Sequence, residues 1–130
     1  MIAVDSSALM AILLREPKAK ECSQTLANAG RVLISAGTVA EALIVAGGRN
    51  IAADMLSLIH LFDWEIVSVT AASAQRVAEA YARWGKGAHP ARLNFGDCFA
   101  YELAKAHDCP LLYIGNDFSQ TDIAAAIPSP

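Results

Sequence analysis

Apolar residues fall in two kinds of stretch along this chain. Short continuous runs occur at residues 2–4, 31–35, 65–69 and 111–114. Runs of that length without polar interruption read as strands buried on both faces. Longer segments with helical character lie between them, at residues 8–14, 17–28, 37–47, 50–62, 70–84 and 94–107. On the fifth of these, Ala74, Val77, Ala78 and Tyr81 are expected to share one face. The punctuation agrees with these limits. Pro17 disfavours helix at Glu16, Gly47-Gly48 ends the third helix, and Gly85 to Pro90 forms a loop. Thr38 and Glu41 have the spacing of a capping box, and Asn50 and Asn94 are placed to cap the fourth and sixth helices. Residues 123–127 are a candidate last edge strand.

Strands that alternate with helices predict an α/β fold: a central, mainly parallel sheet of four to five strands, covered on both faces. In such sheets ligands bind beyond the carboxyl ends of the strands. The 130 residues suit one domain spanning 1–130. A composition of 55% hydrophobic and 18% charged residues excludes a disordered chain, and a net charge of −3 argues against a strongly basic nucleic-acid coat. The three cysteines, Cys22, Cys98 and Cys109, form no Cys-x-x-Cys pair. A disulfide framework or zinc site is therefore not expected, and a reducing cytoplasm is. Neither a signal peptide nor a membrane-spanning run is apparent.

The candidate chemistry lies in four acids set at the ends of apolar elements: Asp5, Glu41, Asp97 and Asp117. Asp5 and Asp117 follow the first and fourth strands, and Glu41 and Asp97 fall in first turns of helices. Each alone is equally well explained as a helix cap. Together they can face one crevice. Two carboxylates about 4 Å apart repel by roughly 4 kcal/mol at an effective dielectric of about 20, so such a cluster must take up protons or bind a cation. Without histidine or cysteine at ligand spacing, an all-oxygen site suits Mg²⁺ or Mn²⁺ better than zinc. A hard divalent cation in an open acidic crevice suits phosphoryl chemistry by an activated water. Ser6 and Asn116 are candidates to orient a carboxylate or a phosphate oxygen, or else are turn residues.

These motifs resemble a known family. Val4-Asp5-Ser-Ser-Ala8, Glu41 in an apolar helix, Leu93-Asn-Phe-Gly-Asp97-Cys-Phe-Ala-Tyr101 and Gly115-Asn-Asp117-Phe-Ser-Gln-Thr-Asp122-Ile look like the motifs of PIN-domain ribonucleases, and most of all of the VapC toxins of type II toxin–antitoxin modules. The resemblance covers nearly the whole chain. It implies a PIN-like three-layer α/β/α sandwich and endonucleolytic RNA cleavage that depends on Mg²⁺ or Mn²⁺. It carries over Asp5, Glu41, Asp97 and Asp117 as the catalytic, metal-binding acids, with Asp122 as a further candidate ligand. It also implies a homodimer and a VapB-type antitoxin that lies over the toxin's groove and binds operator DNA with its own N-terminal part. The chain departs from many relatives at Ile114, where they carry a lysine.

Residues 82–95 hold Arg83, Lys86, His89 and Arg92 and no acid. The three longer cations are candidate RNA phosphate contacts, and Trp84 a candidate base-stacking platform, in a glycine-bearing loop expected to move. The alternative is a solvated loop with Trp84 packed at a helix end. Residues 8–14 and 55–61 are apolar on more than one face, which suits core, a dimer seam or an antitoxin groove. Two other functions compete. A phosphatase or receiver would need Asp-x-Asp or paired acids after an early strand, and Asp5-Ser-Ser7 supplies neither. A non-catalytic binding module would use the acids only as caps.

Overall fold

Successive side chains of a strand leave opposite faces of a sheet; at residues 2–4, 32–35 and 111–112 both directions are buried, whereas Glu65 and Ile66 are exposed, so the third strand is not covered on both faces as expected. The computed structural model describes residues 1–128. Its strands are β1 (Ile2–Val4), β2 (Val32–Ser35), β3 (Glu65–Val67) and β4 (Leu111–Leu112). They pair in parallel in the order β3-β2-β1-β4. The helices are α1 (Ser6–Leu13), α2 (Ala19–Asn28), α3 (Ala36–Gly48), α4 (Ala52–Leu61), α5 (Ala71–Trp84) and α6 (Phe95–Ala106). Ile2, Val4, Val32, Ile34 and Leu112 pack with Leu9, Cys22, Ala42, Met55 and Ile59 from α1 to α4. Ala3, Leu33 and Leu111 point the other way and pack with Val77, Trp84, Leu103 and Ala104 from α5 and α6. The result is the three-layer sandwich with a parallel sheet.

Several local readings are corrected. The fifth strand shrinks to one bridge between Leu111 and Ala125, so the sheet among the described residues has four strands. β4 ends at Leu112, because the Ile114 amide donates to a side chain, Ser7 Oγ, at 3.0 Å. The third helix begins at Ala36, capped by Ser35, whose hydroxyl accepts from Gly37 N at 3.1 Å. Thr38 is fully buried instead, and the Thr38–Glu41 capping box does not form. Asn50 does not cap α4; it takes a left-handed φ of 59° and the helix starts at Ala52 without a side-chain cap. On α5 the buried face is Ser73, Val77, Ala80 and Trp84, while Ala74, Ala78 and Tyr81 line an apolar surface groove with Phe95 and Phe99. Thr70 and Ser73 supply a capping box there that the sequence reading did not name.

α3 meets α6 closely because position 37 has no side chain: a methyl on Gly37 would overlap the Phe99 ring. That contact brings the helices of Glu41 and Asp97 together. Among the described residues, no helix is long and apolar enough to cross a membrane. All three cysteines are free and buried, and burial pushes the Cys98 thiol up to about 12, so it is inert as a nucleophile.

Candidate functional site

β1 ends in Asp5, which caps α1 and is 2% exposed. Its Oδ2 accepts from Ser7 N at 3.1 Å and from Ser7 Oγ at 2.6 Å. Its Oδ1 is buried without a hydrogen-bond partner. Burial raises the Asp5 carboxyl from its ordinary 3.8 to about 7; the Ser7 bonds oppose the rise, and the charges of Asp97 and Glu41 add to it. Ser7 also receives the Ile114 amide, so one hydroxyl ties Asp5 to the chain leaving β4. The Asp-x-Ser pattern was readable as a local turn, but the bond to Ile114, 107 residues away, was not.

Glu41 sits one turn into α3, where its Oε1 accepts from Ser6 Oγ at 2.7 Å. Ser6 therefore orients a carboxylate of the site. Glu41 also lies against the backbone of Gly96, so closely that a methyl there would overlap Oε2.

Asp97 is the third residue of α6 and does two jobs. Its amide donates to Asn94 Oδ1 at 2.8 Å, and its Oδ2 accepts from Asn94 N at 2.9 Å, completing a capping box. Its carboxyl is raised to about 6 by burial; the Asn94 bond opposes this and the charges of Glu41 and Asp117 add to it. The capping and chemical readings are thus compatible at one residue. Asp117 is exposed and heads a turn of 3-10 helix, Phe118–Gln120, after Gly115 at φ 107°. Asn116 is exposed beside it, and its carbonyl accepts from Ser119 and Gln120.

Asp5, Glu41 and Asp97 thus lie within reach of one another's charge, and Asp117 within reach of Asp97. Asp122 is not joined to them: its oxygens accept from Tyr101 and Lys105. No three acids, histidines or cysteines among the described residues are already spaced to enclose a metal ion. The donor set still fits a hard cation. It is all oxygen, it includes an orphaned buried carboxylate oxygen on Asp5, and burial, with the like charges of neighbouring acids adding to it, holds Asp5 and Asp97 at raised pKa.

The basic segment is more ordered than expected. Gly85 bridges to Leu93, Lys86 N donates to Leu93 O, and Ala91 and Leu93 are buried. Trp84 is no stacking platform: it is buried, and its Nε1 donates to Tyr101 OH at 2.9 Å. His89 packs edge-on against Trp84, and its Nδ1 accepts from Ala91 N, a structural role. Arg83 lies over the Trp84 ring at 4.5 Å, and Arg83, Lys86 and Arg92 remain exposed. On the apolar stretches, Ala8 to Ala11 are core, whereas Leu56 and Leu61 are exposed.

Gly96→Ala is expected to lower any activity of this site by at least tenfold without touching an acid, because the new methyl displaces Glu41. The check is a rate measurement beside circular dichroism; an unaffected rate would mean that the activity does not depend on where Glu41 is placed.

The PIN domain family pattern matches residues 2–124. Ribonuclease VapC36 of Mycobacterium tuberculosis is 41% identical over 124 residues, covering 92% of this chain and 89% of its own. In structure, VapC20 of M. tuberculosis, described as a sarcin-ricin loop cleaving toxin, superposes with a TM-score of 0.79 at 18% identity, over 98% of this chain and all of that one. A chain in the complex VapBC2 of Rickettsia felis, bound to a DNA fragment from its promoter, superposes at 0.70 and 16% identity, with 96% of each chain covered.

Proposed function

This chain belongs to the PIN-domain family and to its VapC ribonucleases, and from that premise we propose that it is the toxin of a type II toxin–antitoxin module, an endoribonuclease that works with Mg²⁺ or Mn²⁺. The observation that carries the proposal is the convergence of Asp5, Glu41 and Asp97, two of them at raised pKa and one with an orphaned oxygen, beyond a parallel sheet. Acids used only as caps would not crowd one another, and neither alternative reading finds support in this family.

Asp5, Glu41, Asp97 and Asp117 would hold the cation. When bound, it supplies positive charge that acidifies a water and offsets charge on phosphate oxygens. The protein's share is placement. Ser7 fixes the rotamer of Asp5, Ser6 that of Glu41, and the Asn94 amide that of Asp97. Preorganised carboxylates need no rearrangement as the phosphodiester reacts. Asn116, exposed beside Asp117, would meet a phosphate oxygen, and the exposed Arg83, Lys86 and Arg92 would add positive charge for the RNA backbone.

The partners follow the same reading. Ile44, Val45, Tyr81 and Phe95 leave an exposed apolar face around α3, α5 and α6, including a groove of about 480 Å³, which suits a second copy of the chain. Leu56, Leu61 and Phe62 on and after α4 offer anchors for a VapB-type antitoxin, through which operator DNA would be bound.

The test is incubation of total bacterial RNA with protein purified under denaturing conditions and refolded, to strip any antitoxin. Discrete fragments with Mg²⁺ or Mn²⁺, and none with EDTA, are expected. Fragments that persist unchanged in EDTA would end the metal assignment, and intact RNA under every condition would end the ribonuclease assignment.

A further inference from the structure

Asp122 follows the Gly115-Asn-Asp117 turn closely enough in sequence to be counted with the site, yet its contacts are those of a clamp. Oδ1 accepts from Tyr101 OH at 2.7 Å, and Oδ2 accepts from Lys105 Nζ at 3.2 Å. Tyr101 OH in turn accepts from Trp84 Nε1. One chain of bonds thus joins the end of α5, the middle of α6 and the segment after Asp117. Tyr101 and Lys105 stand four and eight residues beyond Asp97, so all three share a face of α6. A helix that carries one acid of the site is therefore bolted to the turn that carries another.

Asp117 needs such a support. It is exposed and caps no backbone amide with its side chain. Its position rests on the turn around it, held on one side by Phe118, buried at 3% exposure and packed 5.2 Å from the Tyr113 ring centroid. The other hold is Asp122. A cation at Asp122 would have to displace an ammonium group and a hydroxyl already bound there.

Resting on the ribonuclease reading above, we propose that Asp122 is a positioning residue and not an ion ligand: with Tyr101 and Lys105 it draws the 117–122 segment onto α6 and so sets where Asp117 stands relative to Asp97. The Asp122 carboxyl agrees. Burial alone would raise it, but bonds from Tyr101 and Lys105 outweigh this and hold it below the usual carboxylate range.

The test uses the full chain with Asp122→Ala, Asp122→Asn, Tyr101→Phe and Asp117→Asn, read in three ways: Mn²⁺ binding by calorimetry without RNA, amide exchange of residues 116–118 without metal, and kcat on an RNA substrate. Asp122→Ala and Tyr101→Phe should each lower Mn²⁺ affinity and kcat by about tenfold, the scale expected when a reacting group is displaced. Asp122→Asn keeps an acceptor for Tyr101 and should stay within about threefold of wild type. In an Asp117→Asn background, Asp122→Ala should change Mn²⁺ affinity by less than about twofold, because it acts through residue 117. Amide exchange at 116–118 should quicken in Asp122→Ala and Tyr101→Phe. The proposal is overturned if Asp122→Asn fails as badly as Asp122→Ala while Tyr101→Phe is silent, since that marks a ligand charge. It is also overturned if exchange at 116–118 does not respond. A wild type that binds Mn²⁺ but leaves RNA intact would sink the ribonuclease reading alone; binding and exchange would still judge the clamp.

Discussion

Asp97→Asn is expected to reduce RNA cleavage by about a thousandfold or more, roughly 4 kcal/mol of transition-state stabilisation, while the protein stays folded. The side chain has two separable functions. As a cap, it needs one oxygen to accept from Asn94 N, at 2.9 Å, and an amide side chain keeps that oxygen. As a member of the acidic cluster it needs negative charge, which the amide lacks. The Asp97 backbone amide still donates to Asn94 Oδ1, so the start of α6 should survive. The folded state also loses a charge that burial disfavours, because the carboxyl is raised to about 6 by desolvation, with Glu41 and Asp117 adding to it. The melting temperature without metal should therefore hold or rise as activity falls. Asn94→Ala is the contrasting variant: it removes the cap and keeps the charge, costing about 1 kcal/mol of stability with much less effect on kcat. If Asp97→Asn lost activity only in proportion to lost folded protein, its role would be capping alone.

The sheet and the four acids were legible because both are written in local pattern. Short apolar runs read as strands covered on both faces, which holds at residues 2–4, 32–35 and 111–112 but not at Glu65 and Ile66, which are exposed, and an acid next to such a run stands out. Asp97 was readable both as cap and as ligand; the structure shows the cap, and the ligand role belongs to the proposed function. Long-range choices were not legible. Thr38 and Glu41 have capping-box spacing, but Ser35 lies three residues upstream and caps the helix, and what releases Thr38 to be buried is tertiary packing. Trp84 at a helix end beside glycine looks available for stacking; its packing with core residues such as Val77, Leu93 and Leu103, and its bond to the Tyr101 hydroxyl 17 residues on, bury it instead. Asp122 was a candidate fifth ligand by family resemblance, whereas its partners in space are on α6. The close approach of Glu41 to Gly96 was likewise invisible, as it depends on α3 and α6 meeting. Residue types signal chemistry, but partners separated by the length of the chain decide which chemistry each one performs.

Without divalent metal, the protein is expected to lose stability as pH rises from about 4 to about 7, and added Mg²⁺ or Mn²⁺ should restore it at the upper end. Asp5 titrates at an ordinary 3.8 when unfolded and about 7 when folded, and Asp97 at 3.8 and about 6. Between those limits the folded protein holds protons that the unfolded chain has released. Stability then falls with rising pH, the reverse of the usual salt-bridged carboxylate. For the fully buried Asp5 the effect is on the order of a few kcal/mol, at about 1.4 kcal/mol per unit of pKa. That corresponds to a melting temperature lower by on the order of 5–10 °C at pH 7.5 than at pH 5. The lowered carboxyls of Glu65 and Asp122 act in the opposite sense, but only from about pH 5 downward, so they leave the trend above about pH 5 unmasked. A cation bound to the ionised acids stabilises the fold by mass action, about 2.7 kcal/mol at a hundredfold excess over Kd. At pH 5 the same cation must displace protons from Asp5 and Asp97, so its effect there should be smaller. Scanning calorimetry across pH, with and without metal, reads both parts, and Asp5→Asn should flatten the pH dependence and weaken the metal response together. A melting temperature that rises steadily from pH 4 to 7 without metal would mean that these acids do not share a desolvated crevice, and the ion-binding role would fall with it.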